Sequence, residues 1–269
     1  MPFIITGIVL VLIAVGLYFA SQGQKKKLGE MKSTETSSSA QLAELAGAVA
    51  KDIGAGSFNQ VTEVKGVIEC ADPLVSELSD TACVRYSMSV TREYEETYWE
   101  KDDKGEQVQR TRRGSETVAS NARSVHFLVR DSSGSIEVDP EGASFVDEKV
   151  FSQFRQGENR GERLRFGSYD FNPTGFAALA GGRRTLGYRF EESAIPVGRP
   201  VYVLGEAVDR DGRLRVCKPS AKGASFIISL KSEEQLAAGA QSSAKGLFIA
   251  SIVSCAVGIA VAIFGVFKL

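Results

Sequence analysis

Few residues in this sequence are of types that do chemistry, and their spacing does not assemble a familiar site. His126 is the only histidine. A Ser-His-Asp arrangement would have to use it, and no Gly-x-Ser-x-Gly turn accompanies it. Zinc catalysis through imidazoles needs two or three of them. His126 lies opposite Val125, Phe127 and Val129 in an alternating stretch, which predicts a solvent-facing or sheet-edge position. There is no Walker loop and no Gly-x-Gly-x-x-Gly. The paired acids Asp102/Asp103 and Asp209/Asp211 sit in glycine-containing turns, unlike a twelve-residue calcium loop. No catalytic, metal or cofactor site is expected from these patterns.

Four cysteines are present. Cys255 falls in an apolar run and reads as a packing residue. Of Cys70, Cys83 and Cys217, at most one pair can form. Cys70 and Cys83 are nearest in sequence, and spacing leaves open whether they bridge or stay free. If the chain is an enzyme, Cys83 is the nucleophile to test, and it would need a depressed pKa. Arg110, Arg112 and Arg113 form a basic cluster. It reads as a solvated hairpin, or alternatively as a surface for anionic headgroups or an acidic partner.

The elements that must carry these residues are bounded by two apolar runs. Phe3–Ala20 and Gly246–Phe267 are each long enough to approach or cross a bilayer core. Between them lie roughly 200 residues, and a net charge of −1 gives no field that draws the chain to nucleic acid. The first run has its positive residues after it, at Lys25, Lys26, Lys27 and Lys32, whereas a signal peptide has them before. It is therefore read as an uncleaved anchor. By the positive-inside rule those lysines put the intervening domain on the cytoplasmic side; the alternative is that they only anchor in headgroups.

Residues 21–59 read as a linker and an amphipathic helix, with Leu42, Leu45, Val49 and Ile53 on one face and Gly54–Gly56 ending it. From residue 60 to 235 the period is two. Val84, Tyr86, Met88 and Val90 alternate with polar residues, and the strand continues toward Trp99. The segment to Arg113 is a returning strand or a mobile arm. Asp131–Gly134 and Asp209–Gly212 mark hairpins. Residues 141–182 are irregular, with a turn at Asn172-Pro173 and one helical turn over Phe176–Leu179. Ser232 with Gln235 starts a helix that runs into the second apolar run, with a break expected near Gly239. The fold class is mainly β, an antiparallel barrel- or sandwich-like domain with short helices between two transmembrane helices.

An ordered set of stretches resembles the GIDE (or BAM) domain of the MULAN/GIDE family of membrane-anchored ubiquitin ligases of mitochondrial and chloroplast envelopes. The stretches are Gly66-Val67, Pro73–Ser79 with Ser76, Ala82–Tyr86 with Cys83, Trp99, Phe127–Asp131 with Gly134, and Val138-Asp139-Pro140. They continue with Gly142-Ala143, Glu191, Ile195–Gly198, Val201–Glu206 with Gly205, and Ser225–Ser229. The resemblance implies an anchored β domain at 60–235, with spans at 3–20 and 246–267. In those ligases activity comes from a RING, which takes eight Cys/His ligands; four Cys and one His do not suffice. The expectation is therefore a RING-less, non-enzymatic binding, scaffold or stress-sensing module. Its expected partners are the bilayer and a membrane protein or second copy. The family's intermembrane placement of the domain corresponds to the outside of a bacterium, opposite to the lysine argument. An adaptor of protein modification and an enzyme with an unfamiliar Cys or carboxylate site are the alternatives.

Overall fold

The computed structural model describes residues 2–102, 105–156, 163–172 and 183–267. Helix α1 (Pro2–Ser33) is one unbroken helix of 32 residues. It runs well past the apolar stretch, because Gln22–Lys32 is rich in residues that favour helix and contains the i,i+4 pair Lys26–Glu30. Helix α2 (Ser39–Asp52) begins at a complete capping box between Ser38 and Gln41. Leu42 and Ala46 are its buried side chains and Val49 packs on the same core. Leu45 and Ile53, expected on that face, are exposed. Helix α3 (Glu233–Phe267) continues through Gly239 without the expected break, supported along its length by α1.

Strands fill the middle. β1 (Asn59–Glu69), β5 (Phe127–Arg130), β6 (Ser135–Val138), β12 (Pro200–Val208) and β13 (Arg215–Cys217) close into a barrel of order β1-β5-β6-β13-β12-β1. Every contact in the ring is antiparallel except β6–β13. That order, with one parallel pair between the third and fifth barrel strands, is the order of an oligonucleotide/oligosaccharide-binding barrel. Gly66 sits where β1 passes from β12 to β5; a Cβ there would stand 2.3 Å from the Arg130 carbonyl oxygen, so only glycine permits the close turn. The barrel core includes Val64, Ile68, Val129, Ile136, Val203 and Ile228, and α2 covers it through Leu42 and Ala46.

Two insertions in the barrel build a second antiparallel sheet. Between the first and second barrel strands come β2 (Leu74–Val75), β3 (Ala82–Lys101) and β4 (Gln107–Ser124). Between the third and fourth come β7 (Ser144–Val146), β8 (Glu148–Gln156), β9 (Leu164–Phe166), β10 (Tyr169–Phe171) and β11 (Arg183–Pro196). β3 pairs with β11 on one side and with β2 and β4 on the other, and β8 flanks β11. β7 joins the barrel sheet by pairing parallel to β14 (Ile227–Ser229). Leu78, Met88, Val90, Tyr188 and Phe190 pack under the β9–β10 hairpin through Phe166 and Phe171. The stretch left unassigned from sequence thus contains four strands, while its turn at Asn172-Pro173 and its helical turn at 176–179 involve positions outside the described residues. The segment to Arg113 is a returning strand.

Candidate functional site

Helices α1 and α3 pack as an antiparallel hairpin. A Cβ at Gly7 would lie 2.6 Å from the Gly258 carbonyl oxygen and 2.8 Å from the Ala262 nitrogen, and one at Gly265 would lie 2.9 Å from Phe3 Cβ. Small residues at these positions let the backbones approach closely. Ser254 Oγ donates to the Leu10 carbonyl at 3.0 Å, and Ser21 Oγ to the Ala244 carbonyl at 3.0 Å. In each helix only 11% of the most apolar window is buried within the chain. The core helix of a soluble protein would be mostly buried, so these outer faces suit lipid. At 1.5 Å per residue the helices are about 48 and 52 Å long, against roughly 30 Å of hydrocarbon. The residues beyond Lys25 and before Lys245 exceed that length and form a helical stalk.

The barrel is seated on that stalk. Met31 of α1 is fully buried against Tyr202, Leu204 and Ile227, with Leu236 and Ala237 of α3 beside it. Next to this apolar seam runs a polar one. Glu63 is 2% exposed. It accepts a hydrogen bond from Tyr202 Oη at 2.9 Å and another from Thr36, and pairs with Lys65 at 3.1 Å. Lys65 also reaches Glu233 at 2.8 Å, at the start of α3. Burial and the Glu63 carboxylate push the Tyr202 phenol far up, so it stays a donor. Burial lowers the Lys65 pKa, but hydrogen bonds to Glu233 and Glu63 outweigh it and raise it overall. A cleft of about 500 Å³ opens between the top of α1 and the barrel, lined by Glu30, Glu35, Val61 and Leu204 among others.

The groups that were candidates for chemistry are spent on structure. Ser76, Ser79 and Thr81 bond to one another at 2.8–3.0 Å. The buried Glu192 carboxylate accepts from Leu78 N, Ser79 N and Ser79 Oγ at 2.7–3.0 Å. Tyr86 Oη donates to Glu77 at 2.9 Å. Cys83 is fully buried, and burial followed by the nearby Glu192 charge pushes its thiol up to about 11. A nucleophilic cysteine needs the opposite shift, so the Cys83 mechanism is not supported by its surroundings. All four cysteines are free thiols, which removes the Cys70–Cys83 bridge. His126 is half-exposed, as expected, between Glu137 at 2.9 Å and Asp139 at 3.4 Å. Cys70 turns its sulfur to the His126 carbonyl rather than to the ring, so the two do not form a dyad. Among the described residues no three His, Cys, Asp or Glu side chains converge as a metal cluster.

The sheet's most exposed feature is the β3–β4 arm. Its twenty-residue β3 is several times the usual strand length. Cross-strand ion pairs Glu100–Arg110, Glu96–Arg112 and Glu95–Arg113 run along it, so the basic cluster is neutralised within its own hairpin. At its base Arg92, 1% exposed, bonds Glu116 and Thr185 at 2.9 Å each. Near its tip Trp99 is 64% exposed.

A family profile described as GIDE, E3 ubiquitin ligase, matches residues 95–263, more than half of the chain. The chain belongs to the GIDE family. Comparison with curated proteins and with solved structures finds no match. The GIDE match starts on the arm and ends inside α3, so it takes in β4 to β14 and most of the second apolar helix, and leaves α1, α2, β1, β2 and the first part of β3 outside.

Within this GIDE chain the resembling residues fall into separate places. Ser76, Ser79, Cys83 and Tyr86 belong to the knot around Glu192. Asp131 accepts from Ser39 N at 2.7 Å and, through its other oxygen, from Ser133 and Gly134, fastening the first turn of α2 to the β5–β6 turn. Burial opposes its ionisation, but these hydrogen bonds outweigh it and hold the carboxyl at about 2. Asp139 and Pro140 shape the turn after β6, where Glu141 N bonds Asp139 and Ala143 N bonds the Pro140 carbonyl. Gly198, at φ +78°, makes the β11–β12 turn. Gly205 faces Val216 and Phe226 inside the barrel, where a Cβ would come within 2.8–3.0 Å of neighbours. Glu206 accepts from Ser220 N and Oγ. Trp99 alone among them is a large exposed apolar group. Sequence reading missed Glu63, Arg92 and Glu192, because alternation marks a position as inward without naming the partner that lets a charge sit there.

Proposed function

We propose that this GIDE-family chain is a non-enzymatic binding or scaffold module tethered to a membrane, a MULAN-like member whose four cysteines and one histidine fall short of the zinc ligands of a RING. It serves membrane organisation or stress sensing. The observation that carries the reading is the seat of the barrel on the helix hairpin. Met31, Glu63 and Lys65 fix the β domain to the stalk, while Ser79, Cys83 and Glu192 are consumed in internal contacts. Such a device presents a surface at a set height above a bilayer, and the long arm with Trp99 is the surface it presents. The partner is a membrane protein or a second copy, engaged without nucleic acid or cofactor. Lysines 25, 26 and 27 favour a cytoplasmic domain. Kinship with E3 ubiquitin ligases supports a second reading, an adaptor in ubiquitin-type protein modification; that reading rests on kinship alone.

The test is size and crosslinking of the full chain in mild detergent. A defined oligomer or a stoichiometric membrane-protein partner upholds the reading. Monomer alone, with no crosslinked partner in intact membranes, overturns it.

A further inference from the structure

The helix hairpin fixes where the membrane surface runs. From Phe3 to Lys25 and from Lys245 to Phe267 each helix rises about 33 Å; the Ser21–Ala244 bond sets Lys245 beside Ser21, about one turn below Lys25, whose ammonium lies 5.2 Å from the Phe248 ring. Lys26, one residue above, donates to the Gly223 carbonyl at 2.7 Å. Nearby, Ser225 N donates to Glu30 at 3.1 Å, and Glu30 pairs with Lys26 at 3.6 Å. The loop between β13 and β14 is thereby stapled to α1 just above the hydrocarbon boundary, although about 200 residues separate the two in sequence. Next to the staple, Lys222 is exposed, as are Lys25 and Lys245, and Lys27 is half-buried. Glu30, the acid facing this group, is already engaged with Lys26 and Ser225. Among the described residues none of Lys25, Lys27, Lys222 or Lys245 has a carboxylate within ion-pair distance.

We propose that Lys25, Lys27 and Lys245 of the helices together with Lys222 of the barrel loop form a collar for the headgroups of anionic phospholipids around the hairpin. The collar rests on the membrane-tethered reading and deepens it. The position argues for lipid, because Lys25, Lys27 and Lys222 each adjoin a residue of the Lys26–Gly223 staple and Lys245 lies about one turn lower, so their charges ring the hairpin at the height where a bilayer places its phosphates. The loop adds to the helix lysines a cation carried by the β domain, so anionic lipid would also hold the domain in its seat.

The test uses the full chain reconstituted into nanodiscs of phosphatidylcholine with a minority of phosphatidylglycerol, with retained lipid identified by native mass spectrometry. The expected result is preferential retention of phosphatidylglycerol. Lys222→Ala should reduce that preference about fivefold, the equivalent of one basic residue at a charged surface, and Lys222→Arg should keep it. Lys222 is exposed in a loop, so neither change threatens folding. Equal retention of both lipids, or an unchanged preference in Lys222→Ala, overturns the collar. Displacement of the lipid by free inorganic phosphate overturns the assignment to lipid. Extraction of the wild-type chain from membranes by alkaline carbonate is a separate outcome: it removes the tethered reading itself, and the collar with it.

Discussion

Asp131→Asn separates a fastening role from a ligand-facing one. In the folded chain the carboxylate accepts backbone hydrogen bonds from Ser39, Ser133 and Gly134 and a hydroxyl bond from Ser133. The pKa falls from 3.8 to about 2, a difference of roughly 2 kcal/mol at 1.36 kcal/mol per unit. Because the folded value is depressed, this stability is fully present above the unfolded value near pH 4. It is lost as pH falls through 2. Asparagine keeps the shape but supplies only one acceptor oxygen, so the variant should melt about 4–8 °C below wild type at pH 7. The gap should shrink by about half at pH 3, where wild type has lost part of the same term. Circular dichroism melting of the full chain in detergent at pH 7, 5 and 3 measures it. Hydrogen exchange should rise first in α2. A gap that is absent at pH 7, or equally large at pH 3, refutes the assignment of this carboxylate to the α2–barrel junction.

The helix hairpin and its seat make further predictions. Gly7→Leu forces a side chain against Gly258 and Ala262 backbone, costing about 1–3 kcal/mol of overpacking; spin labels on the two helices near their termini should report wider separation than in wild type, and an unchanged distance contradicts the packing. Met31→Ala empties a fully buried position and should cost about 2–5 kcal/mol, seen as faster exchange in β12, β14 and the first turns of α3. Cys83 should resist maleimide at neutral pH in the folded chain while Cys70 and Cys217 react first; rapid labelling of Cys83 would return the thiol mechanism to consideration.

Much of the strand content was legible because local alternation reports it. Val84, Tyr86, Met88 and Val90 are all buried, as their spacing requires. The turn Asp131–Gly134 marked the β5–β6 hairpin through a side chain that bonds its own turn. The strand β8 was not legible, because a bulge places Val150 outside the pairing between Lys149 and Phe151, and alternation fails across it. Barrel closure was also invisible: β1 meets β12 after some 140 residues, with an entire second sheet between them. The seat escaped notice for a related reason. Met31 reads as a residue in a polar linker, and its burial depends on β12 and β14 arriving from far along the chain. Of the candidate site, the sequence singled out family-like residues without indicating their roles. Ser79 and Asp131 are polar and near glycine or turns, which suits a ligand site or a knot equally until the acceptor is seen.

The claim that this chain works by presenting a surface above the membrane is tested most directly by a photo-crosslinking residue in place of Trp99, activated in intact membranes. Trp99 projects from the arm with 64% exposure, so its replacement should leave the fold unchanged. The account predicts one discrete adduct, to a second copy or to a single membrane protein, absent when the same residue replaces exposed Ile53 at the C-terminal cap of α2. No adduct from the arm, or the same diffuse labelling from both positions, would contradict it.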